Sequence, residues 1–325
     1  MARDMIGFGV VGLGMGQDRC ARIASTKGAR LAAVCDTNEE LARKVADKYQ
    51  VPWHRDFNEA IARDDVDVVF ALTPSGIHSD IAVAAAQHGK HVITTKPMEV
   101  TLERADRMIA ACENAGVILA VDFECRYRAE NVRIRQAIER GEFGKLILGE
   151  ARLKWYRSDK YYEGWHGTWR LDGGGSLINQ TIHQIDLLLW FMGPVKKVLG
   201  KIGIFSHTIE TEDLGMAMLE FENGAVGTIL GTTTYPYDSP PVVEVHGTKG
   251  AVKTEGDKIV LWKPDPEPNE PPLVYDGPQT VIEDMVAVIR RGGKPRINGE
   301  EGTHSLRLIL AIYESARTGK EIAIS

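Results

Sequence analysis

Gly12-Leu13-Gly14-Met15-Gly16-Gln17 follows a short apolar run, Met5–Val11, and precedes a helical pattern from Asp18 to Thr26. The apolar run is typical of a strand that is buried on both faces of a parallel sheet. Glycine lets a backbone turn sharply and approach a ligand closely. A second apolar run, Leu31–Cys35, comes after the helical pattern. The order strand, glycine turn, helix, strand predicts the first βαβ unit of a parallel sheet.

Asp36 ends the second strand and lies 22 residues after Gly14. This spacing is close to the roughly 20 residues expected between a dinucleotide-binding glycine turn and its ribose-binding acid. In such a unit the pyrophosphate binds at the helix N-terminus, and the carboxylate accepts from the ribose 2′-hydroxyl and repels a 2′-phosphate. Gln17 stands at the third glycine position of the usual pattern, and Gly16 comes one residue earlier. We predict that NAD rather than NADP binds here, to Gly12, Gly14, Met15, Gly16 and Asp36.

The composition indicates an ordinary globular protein with two domains. The 325 residues are 43% hydrophobic and 26% charged, with a formal net charge of −6, which is usual for a folded chain of this length. The basic residues do not cluster, so neither nucleic acid nor a membrane surface is an expected partner. No run of 18 or more apolar residues predicts a membrane-spanning segment. The apolar start runs into glycines and a charged helix, which favours a strand over a targeting signal.

The cysteine pattern indicates the redox compartment. Cys20, Cys35, Cys112 and Cys125 lie in apolar or helical contexts and show no C-x-x-C spacing. We therefore expect reduced, buried thiols, a cytoplasmic protein and no metal site.

Strands alternate with single helices through the rest of the first half. This order predicts right-handed crossovers and one doubly wound parallel sheet, in a domain of residues 1–124. Ligands bind at the carboxyl ends of such strands, and Thr73-Pro74 and Thr95-Lys96-Pro97 both follow strand ends. Lys96 is therefore a candidate for chemistry. The predicted helices are Glu39–Tyr49, Phe57–Arg63, Ile77–His88 and Leu102–Ala115, and the predicted strands are Val66–Ala71, His91–Thr94 and Val117–Asp122.

Residues 125–325 show the two-residue alternation of antiparallel strands. Glu222-Asn223-Gly224 is a hairpin signal, and Pro264–Pro278, with six prolines, predicts an irregular surface loop. Helices are predicted at Ala129–Arg140, Val281–Arg291 and Thr303–Thr318. Strands are predicted at Leu146–Tyr156, Val195–Phe205, Leu214–Phe221, Ala225–Thr234, Val242–His246, Ala251–Thr254 and Lys258–Trp262.

The second half therefore predicts an α/β domain with a large, mostly antiparallel open sheet. Its few helices can cover only one side of that sheet. We expect a homo-oligomer, a dimer or a tetramer, to form through the uncovered side. The residues expected there are Met216, Met218, Leu219, Val226 and Ile229.

Gly173 to Asp186, Gly-Gly-Gly-Ser-Leu-Ile-Asn-Gln-Thr-Ile-His-Gln-Ile-Asp, combines a glycine turn with a mostly apolar helix. An apolar stripe recurs at helical spacing, and the helix should be largely buried. A polar stripe follows the same helix at Asn179, His183 and Asp186. Each buried polar group must find a partner or lose about 1–3 kcal/mol. Two interpretations stay open: a satisfied polar row in the core, or the lining of a ligand pocket. The apolar stripe consists of Ile178, Ile182, Ile185 and Leu189.

These motifs together resemble the glucose-fructose oxidoreductase / inositol dehydrogenase / MocA family over essentially the whole chain. The resemblance implies an N-terminal Rossmann domain that binds NAD(P) and a C-terminal α/β domain with a large open sheet. It also implies oxidation of a ring hydroxyl of a sugar or cyclitol, or the reverse reduction. The motifs that carry it are Gly12-x-Gly14, Asp36, Thr73-Pro74 with His78, His91-Val-Ile-Thr-Thr-Lys96-Pro97, and Gly173-Gly-Gly through His183 to Asp186.

The resemblance also implies roles for single residues. Lys96 matches a lysine that contacts substrate and nicotinamide, and His183 matches the histidine usually assigned as acid/base. Thr95 and Asn179 depart from the family pattern, because glutamate and aspartate are usual at these two positions. With the strand-end motifs included, the residues predicted to bind the cofactor extend to Thr73, Pro74, His78, Lys96 and Pro97.

Hydride transfer from a carbinol carbon needs a base for the hydroxyl proton. We predict His183 as this base, with Asn179 fixing its tautomer, and Lys96 as the donor to the developing alkoxide; the two roles could be exchanged. Candidates to bind the sugar are Arg126, Tyr127, Tyr156, Trp165 and Arg170, for which ordinary packing or a surface ion pair is the alternative. Two other functions stay open, an NAD-dependent glycosidase and a non-catalytic dinucleotide-binding regulator.

Overall fold

The computed structural model describes residues 5–265 and 275–324, and they form two compact units. Unit 1 consists of the described residues up to Phe123 together with Pro278–Thr303. Unit 2 consists of Glu124–Gly277 and His304–Ser325. Residues 278–303, which the sequence pattern assigned to the second domain, therefore lie in unit 1. Most of the predicted proline-rich loop falls outside the described residues.

Unit 1 contains a parallel sheet of six strands. The strand order is β3-β2-β1-β4-β5-β6 and every neighbouring pair is parallel. All six residues of β1 are buried, as expected for a strand with helices on both faces of its sheet. The predicted doubly wound parallel sheet is confirmed. The strands are β1 (Ile6–Val11), β2 (Ala29–Cys35), β3 (Trp53–His54), β4 (Val68–Ala71), β5 (His91–Thr95) and β6 (Leu119–Asp122).

The first five helices connect these strands, and three of them are capped by a local side chain. Asn38 accepts from the Leu41 N–H and Thr101 accepts from the Arg104 N–H, which satisfies one orphan donor at each helix N-terminus. The helices are α1 (Gly16–Ser25), α2 (Glu39–Tyr49), α3 (Phe57–Ile61), α4 (His78–Gln87) and α5 (Leu102–Asn114).

Unit 2 contains a sheet of eight strands in the order β13-β12-β11-β7-β10-β9-β8-β14. All neighbours are antiparallel except β10 and β7, which are parallel. The prediction of a mostly antiparallel sheet is confirmed. The strands are β7 (Leu146–Lys154), β8 (Val195–Gly203), β9 (Leu214–Phe221), β10 (Val226–Thr232), β11 (Val242–Gly247), β12 (Gly250–Glu255), β13 (Lys258–Pro264) and β14 (Ile322–Ala323).

The remaining α-helices are α6 (Ala129–Glu139), α7 (Ile182–Met192), α8 (Val281–Arg291) and α9 (Gly299–Thr318), and a π-helix, Ser176–Thr181, leads directly into α7.

α7 packs on one face of the unit 2 sheet. A Cβ on Gly149 would lie 2.7 Å from side-chain atoms of both Leu188 and Met192, so only glycine admits the helix this closely to β7. α8 and the start of α9 belong to unit 1.

The other face of the unit 2 sheet is partly apolar. Met216, Met218 and Val226 are 47%, 60% and 51% exposed, and we call this side the open face. Leu219 and Ile229, which were predicted there, are buried, so that part of the prediction is wrong. Side chains alternate between the faces of a strand, and odd-numbered residues of both β9 and β10 point to the covered side.

The four cysteines are buried and reduced, as predicted. Burial raises the pKa of Cys20, Cys35 and Cys112 to about 12, and that of Cys125 to about 11. The thiols are therefore neutral at physiological pH and poor nucleophiles. Within residues 5–265 and 275–324, no helix has both the length and the apolar character needed to cross a membrane.

Candidate functional site

The glycine turn after β1 has three glycines with three different physical roles. Gly12 has a positive φ of 93°, and a Cβ there would lie 2.6 Å from the Leu72 carbonyl oxygen. No atom lies within 4 Å of a Cβ built on Gly14, so its outer side is open to a ligand. Gly16 begins α1, and its Cβ would lie 3.2 Å from Val10. Gly16 therefore provides the close helix–strand contact of a third glycine, one residue early.

Asp36 is fixed against this turn. Its Oδ2 accepts from the Leu13 N–H at 2.7 Å, and its Oδ1 accepts from the Asn38 N–H at 2.8 Å. An ionised carboxylate has about four acceptor sites, so it can accept further hydrogen bonds from ribose hydroxyls. The structure thus brings together the glycine turn and the acid predicted from the 22-residue spacing.

The other unit 1 candidates lie at the same edge of the sheet. Ala71 pairs with Thr94 across β4 and β5, so Thr73-Pro74 and Lys96-Pro97 follow neighbouring parallel strands. Lys96 is half-buried, and Thr95 is buried. The carboxyl edge of this sheet therefore carries the glycine turn, Asp36, Thr73 and Lys96.

His78 lies beneath this edge and not on its surface. The side chain is fully buried, with Nε2 2.9 Å from the Thr73 carbonyl and Nδ1 3.1 Å from the Pro97 carbonyl. Burial lowers the pKa of His78 to about 4. The ring is therefore neutral and donates one hydrogen bond, to one of the carbonyls that surround it, those of Thr73, Pro97 and Met98. The prediction that His78 contacts the cofactor directly is wrong, because its ring faces carbonyls of the two strand-end loops.

Asn179 and His183, the polar residues of the stretch after Gly173–Gly175, are half-buried in unit 2. Asn179 belongs to the π-helix and His183 to the first turn of α7. The predicted burial of the apolar stripe is confirmed for Ile178, Ile182 and Ile185. π-Helical turns are rare and occur frequently at functional sites. Because the π-helix has a wider turn, the i, i+4 spacing does not give the regular stripe that the sequence suggested.

A polar cluster surrounds Asn179, and the sequence interpretation missed its members. The Asn179 amide donates to Asp172, and Gln180 Nε2 donates to Asn179 Oδ1 at 3.0 Å. His166 Nδ1 is 3.5 Å from Asp172 Oδ2, and its ring stacks on Tyr161 with centroids 4.2 Å apart. The signal that could have found Asp172 is its position immediately before the three glycines.

Asp186 and Arg126 form a buried ion pair. Arg126 Nε donates to Asp186 Oδ2 at 2.9 Å, and Nη2 donates to Oδ1 at 2.8 Å. Asp186 is therefore a satisfied core residue and does not line a pocket. Arg126 and Tyr127 are 2% and 1% exposed, so the prediction that they bind a sugar is wrong: Arg126 is bound to Asp186 and both side chains are buried.

The other predicted sugar-binding residues are more accessible. Tyr156 is 52% exposed, Arg170 is exposed and Trp165 is half-buried. The Trp165 ring lies 3.8 Å, centroid to centroid, from that of His166, which joins Trp165 to the polar cluster around Asn179. Tyr156 pairs with Thr234 in an isolated bridge.

Comparison with known proteins gives matches in both units. Residues 6–123 match the model of an oxidoreductase family with an NAD-binding Rossmann fold, and residues 131–253 match the GFO/IDH/MocA C-terminal domain. The 1,5-anhydro-D-fructose reductase of Ensifer adhaerens is 28% identical over 82% of this chain and 82% of its own length. The myo-inositol 2-dehydrogenase of Thermotoga maritima is 25% identical, with 98% of each chain covered.

A solved structure is similar over nearly the whole chain. The WlbA dehydrogenase from Bordetella pertussis, in complex with NADH and UDP-GlcNAcA, is 34% identical, with a TM-score of 0.90 and 99% of each chain covered. The matches extend through both units. The chain belongs to the GFO/IDH/MocA family of oxidoreductases with an NAD-binding Rossmann fold.

Proposed function

We propose that the protein is an NAD-dependent dehydrogenase or reductase. It would transfer hydride between nicotinamide and a ring hydroxyl or keto carbon of a sugar, sugar derivative or cyclitol. The observation that carries the proposal is the Asp36 carboxylate, hydrogen-bonded to the glycine turn at the carboxyl edge of a parallel sheet. This is the arrangement that holds the ribose and pyrophosphate of NAD. The dehydrogenase and reductase activities of the relatives support it.

Two side chains receive chemical roles in this proposal. When bound, NAD supplies the hydride acceptor or donor. His183 accepts the hydroxyl proton during oxidation, because a positioned base lowers the barrier to proton loss. Lys96 donates to the oxygen that develops negative charge. The half-burial of both side chains fits these roles, since a catalytic group needs both partial desolvation and access to substrate.

An anionic sugar is the substrate class that we propose first. WlbA from B. pertussis binds UDP-GlcNAcA, which carries a carboxylate and a diphosphate. Near the polar cluster of unit 2, Arg157 Nη2 donates to Gln180 Oε1 at 2.9 Å, and its guanidinium lies 5.4 Å from the centre of the Tyr161 ring. A guanidinium supported in this way suits a carboxylate or a phosphate. Arg170, which is exposed, adds a second cation to the stretch between β7 and the π-helix.

The two alternative functions have less support. The relatives described above are dehydrogenases or reductases, so a glycosidase that uses NAD transiently is disfavoured. A non-catalytic regulator would not need both Lys96 and His183.

An absorbance screen at the NADH band tests the proposed function. The panel contains UDP-GlcNAcA, free sugar acids, sugars, anhydrosugars and cyclitols, each with NAD and with NADP. We expect NAD reduction with at least one sugar compound, and release of an aglycone without net NAD reduction would contradict the proposal. His183→Ala should abolish turnover and leave NADH binding unchanged. His304→Ala, which removes an exposed histidine of unit 2, is the matched control and should keep full turnover.

We also propose a cytoplasmic homo-oligomer that assembles through the open face. Exposed Met216, Met218 and Val226 support the assembly, and four buried thiols are compatible with the location. On gel filtration we expect a species larger than the 35.9 kDa chain. Met218→Lys should shift it towards the monomer, and Met5→Lys, at an exposed methionine of unit 1, should not. A monomer at micromolar concentration would contradict the assembly.

A further inference from the structure

Glu212 is a buried acid that joins the glycine turn of unit 2 to α9. Its Oε2 accepts from the Gly175 N–H at 2.9 Å, and its Oε1 accepts from the Leu177 N–H at 2.8 Å and the Tyr313 hydroxyl at 3.0 Å. The Glu212 backbone carbonyl accepts from the Ser176 N–H at 2.9 Å. One residue thus binds three consecutive backbone N–H groups, at positions 175 to 177, where the turn enters the π-helix.

The glycines of this turn are required by the same contacts. A Cβ on Gly175 would lie 1.9 Å from the Glu212 carbonyl oxygen, and a Cβ on Gly174 would lie 2.1 Å from the Tyr313 hydroxyl. Any larger residue at either position would push the turn away from Glu212 or Tyr313. The Gly-Gly-Gly sequence, Glu212 and Tyr313 therefore act as one structural unit.

The donors around Glu212 favour its ionised form, and they act against the effect of burial, which raises the pKa of the carboxyl to about 7. Three donors face its two oxygens, and N–H groups at the N-terminus of a helix favour a negative charge. An amide of the same shape could not reproduce this arrangement, because its NH₂ group would face one of the donors.

We propose that Glu212 is a positioning residue for the reaction. It fixes the turn and the start of the π-helix, and through them the places of Asn179 and His183. The proposal rests on the proposed role of His183, but its first consequence, the fixed turn, does not depend on any activity.

Hydrogen exchange of the whole chain tests the fixed turn. In Glu212→Gln, we expect the amides of Gly175 and Leu177 to exchange at least tenfold faster than in the wild type. Asp213→Asn is the matched control, because Asp213 is an equally buried neighbour whose oxygens accept from the N–H groups of residues 205–207. It should accelerate exchange at 205–207 and leave 175–177 unchanged. Unchanged exchange at 175–177 in Glu212→Gln would overturn the proposal.

Kinetics with a substrate from the screen test the catalytic consequence. We expect Glu212→Gln to lower kcat at least tenfold, to increase the primary deuterium isotope effect, and to leave the Kd for NADH within twofold. Tyr313→Phe, which keeps the carboxylate and removes one donor, should give a smaller loss, and it serves if Glu212→Gln does not fold. Asp213→Asn should keep kcat within twofold.

The outcomes separate this proposal from the proposed function. Faster exchange at 175–177 with an unchanged kcat would overturn the positioning role while leaving the dehydrogenase intact. If no sugar reduces NAD with the wild-type protein, the proposed function fails, and the exchange data still decide whether Glu212 fixes the turn.

Discussion

Asp36 has two tasks that a single substitution can separate. Its carboxylate accepts from the backbone of the glycine turn, and its negative charge is expected to repel a 2′-phosphate. An asparagine retains a side-chain oxygen for the Leu13 N–H and removes the charge, and its NH₂ group loses only the exposed contact with the Asn38 N–H. The turn should therefore keep its shape while the preference for the cofactor changes.

We predict that Asp36→Asn increases the ratio of kcat/KM for NADP to that for NAD by at least tenfold, which corresponds to about 1.4 kcal/mol. Asp47→Asn, which removes an exposed charge on α2, is the control and should leave the ratio unchanged. Steady-state kinetics with both cofactors measure the effect. An unchanged ratio in Asp36→Asn would contradict the assignment of Asp36 to the ribose.

Breaking the buried ion pair between Arg126 and Asp186 should strongly destabilise unit 2. Removal of one partner leaves a buried charge without compensation, which typically costs about 3–5 kcal/mol. We predict a loss of this order for Asp186→Leu in urea unfolding at pH 7. The double variant Arg126→Met/Asp186→Leu should recover most of it, because no charge is then buried. A single-variant loss below about 1 kcal/mol would contradict this prediction.

For single residues, the sequence could predict a role where that role depends on a short spacing along the chain. The glycine turn and Asp36 are separated by one helix and one strand, so their distance along the chain determines their proximity. Arg126 lies 60 residues from Asp186, and only the folded structure shows that one neutralises the other. For the same reason the sequence interpretation assigned Arg126 and Tyr127 to a sugar and missed Asp172, His166 and Glu212.

The π-helix and the turn before it form the element whose shape most depends on glycine. Gly175 has a negative φ of −123°, and an alanine there would clash with the Glu212 carbonyl oxygen, 1.9 Å from its Cβ. Gly193, at the other end of α7, has the opposite character, with a φ of 88° and no atom within 4 Å of a Cβ. Gly175, before the π-helix, and Gly193, after α7, therefore permit a comparison of a site with a steric clash and a site without one.

We predict that Gly175→Ala lowers the free energy of unfolding by more than about 2 kcal/mol, because the Cβ displaces the Glu212 carbonyl. Gly193→Ala should cost about 1–3 kcal/mol, because the Gly193 backbone, with φ 88° and ψ −169°, lies in a region essentially confined to glycine. Urea unfolding of both variants measures the difference. A loss below about 2 kcal/mol in Gly175→Ala would mean that the turn can move away from Glu212.

Most elements could be predicted because their patterns are long and regular. α2, α8 and β9 have the predicted bounds, and most other ends differ by one to three residues. β3 and β14 were not predicted, since strands of two residues have no periodicity of their own. The π-helix was interpreted as α-helix, because an apolar stripe at 178, 182 and 185 does not distinguish the two.

For the whole molecule, His78 in unit 1 and Glu212 in unit 2 should contribute to stability in acid in opposite directions. In unit 1, burial lowers the pKa of His78 from 6.5 to about 4. The unfolded chain then takes up a proton first as the pH falls from 6.5, so stability is lost towards pH 4. In unit 2, burial raises the pKa of Glu212 from 4.5 to about 7. The folded chain takes up the proton first, so stability is gained as the pH falls from 7 to 4.5 and lost as it rises.

Each of these two contributions to the free energy of unfolding is on the order of 3 kcal/mol at most. Hydrogen exchange, corrected for intrinsic rates, should be measured between pH 7 and pH 5 in the wild type and in two variants. His78→Asn should reduce the loss of protection in unit 1 on acidification, and Glu212→Gln should reduce the gain in unit 2. A pH dependence of either unit that its variant leaves unchanged would contradict the prediction.

The return of residues 278–303 to unit 1 has a practical consequence for domain exchange. The Val121 N–H donates to the Ile297 carbonyl at 2.9 Å, and a Cβ on Gly299 would lie 2.8 Å from both Ile109 and Leu119. A recombinant fragment that stops at Phe123, where the family match ends, would therefore remove the residues that pack against the edge strand β6. A chimera that transplants the nucleotide-binding half between relatives requires two splice junctions, and the second segment has to be carried with the first.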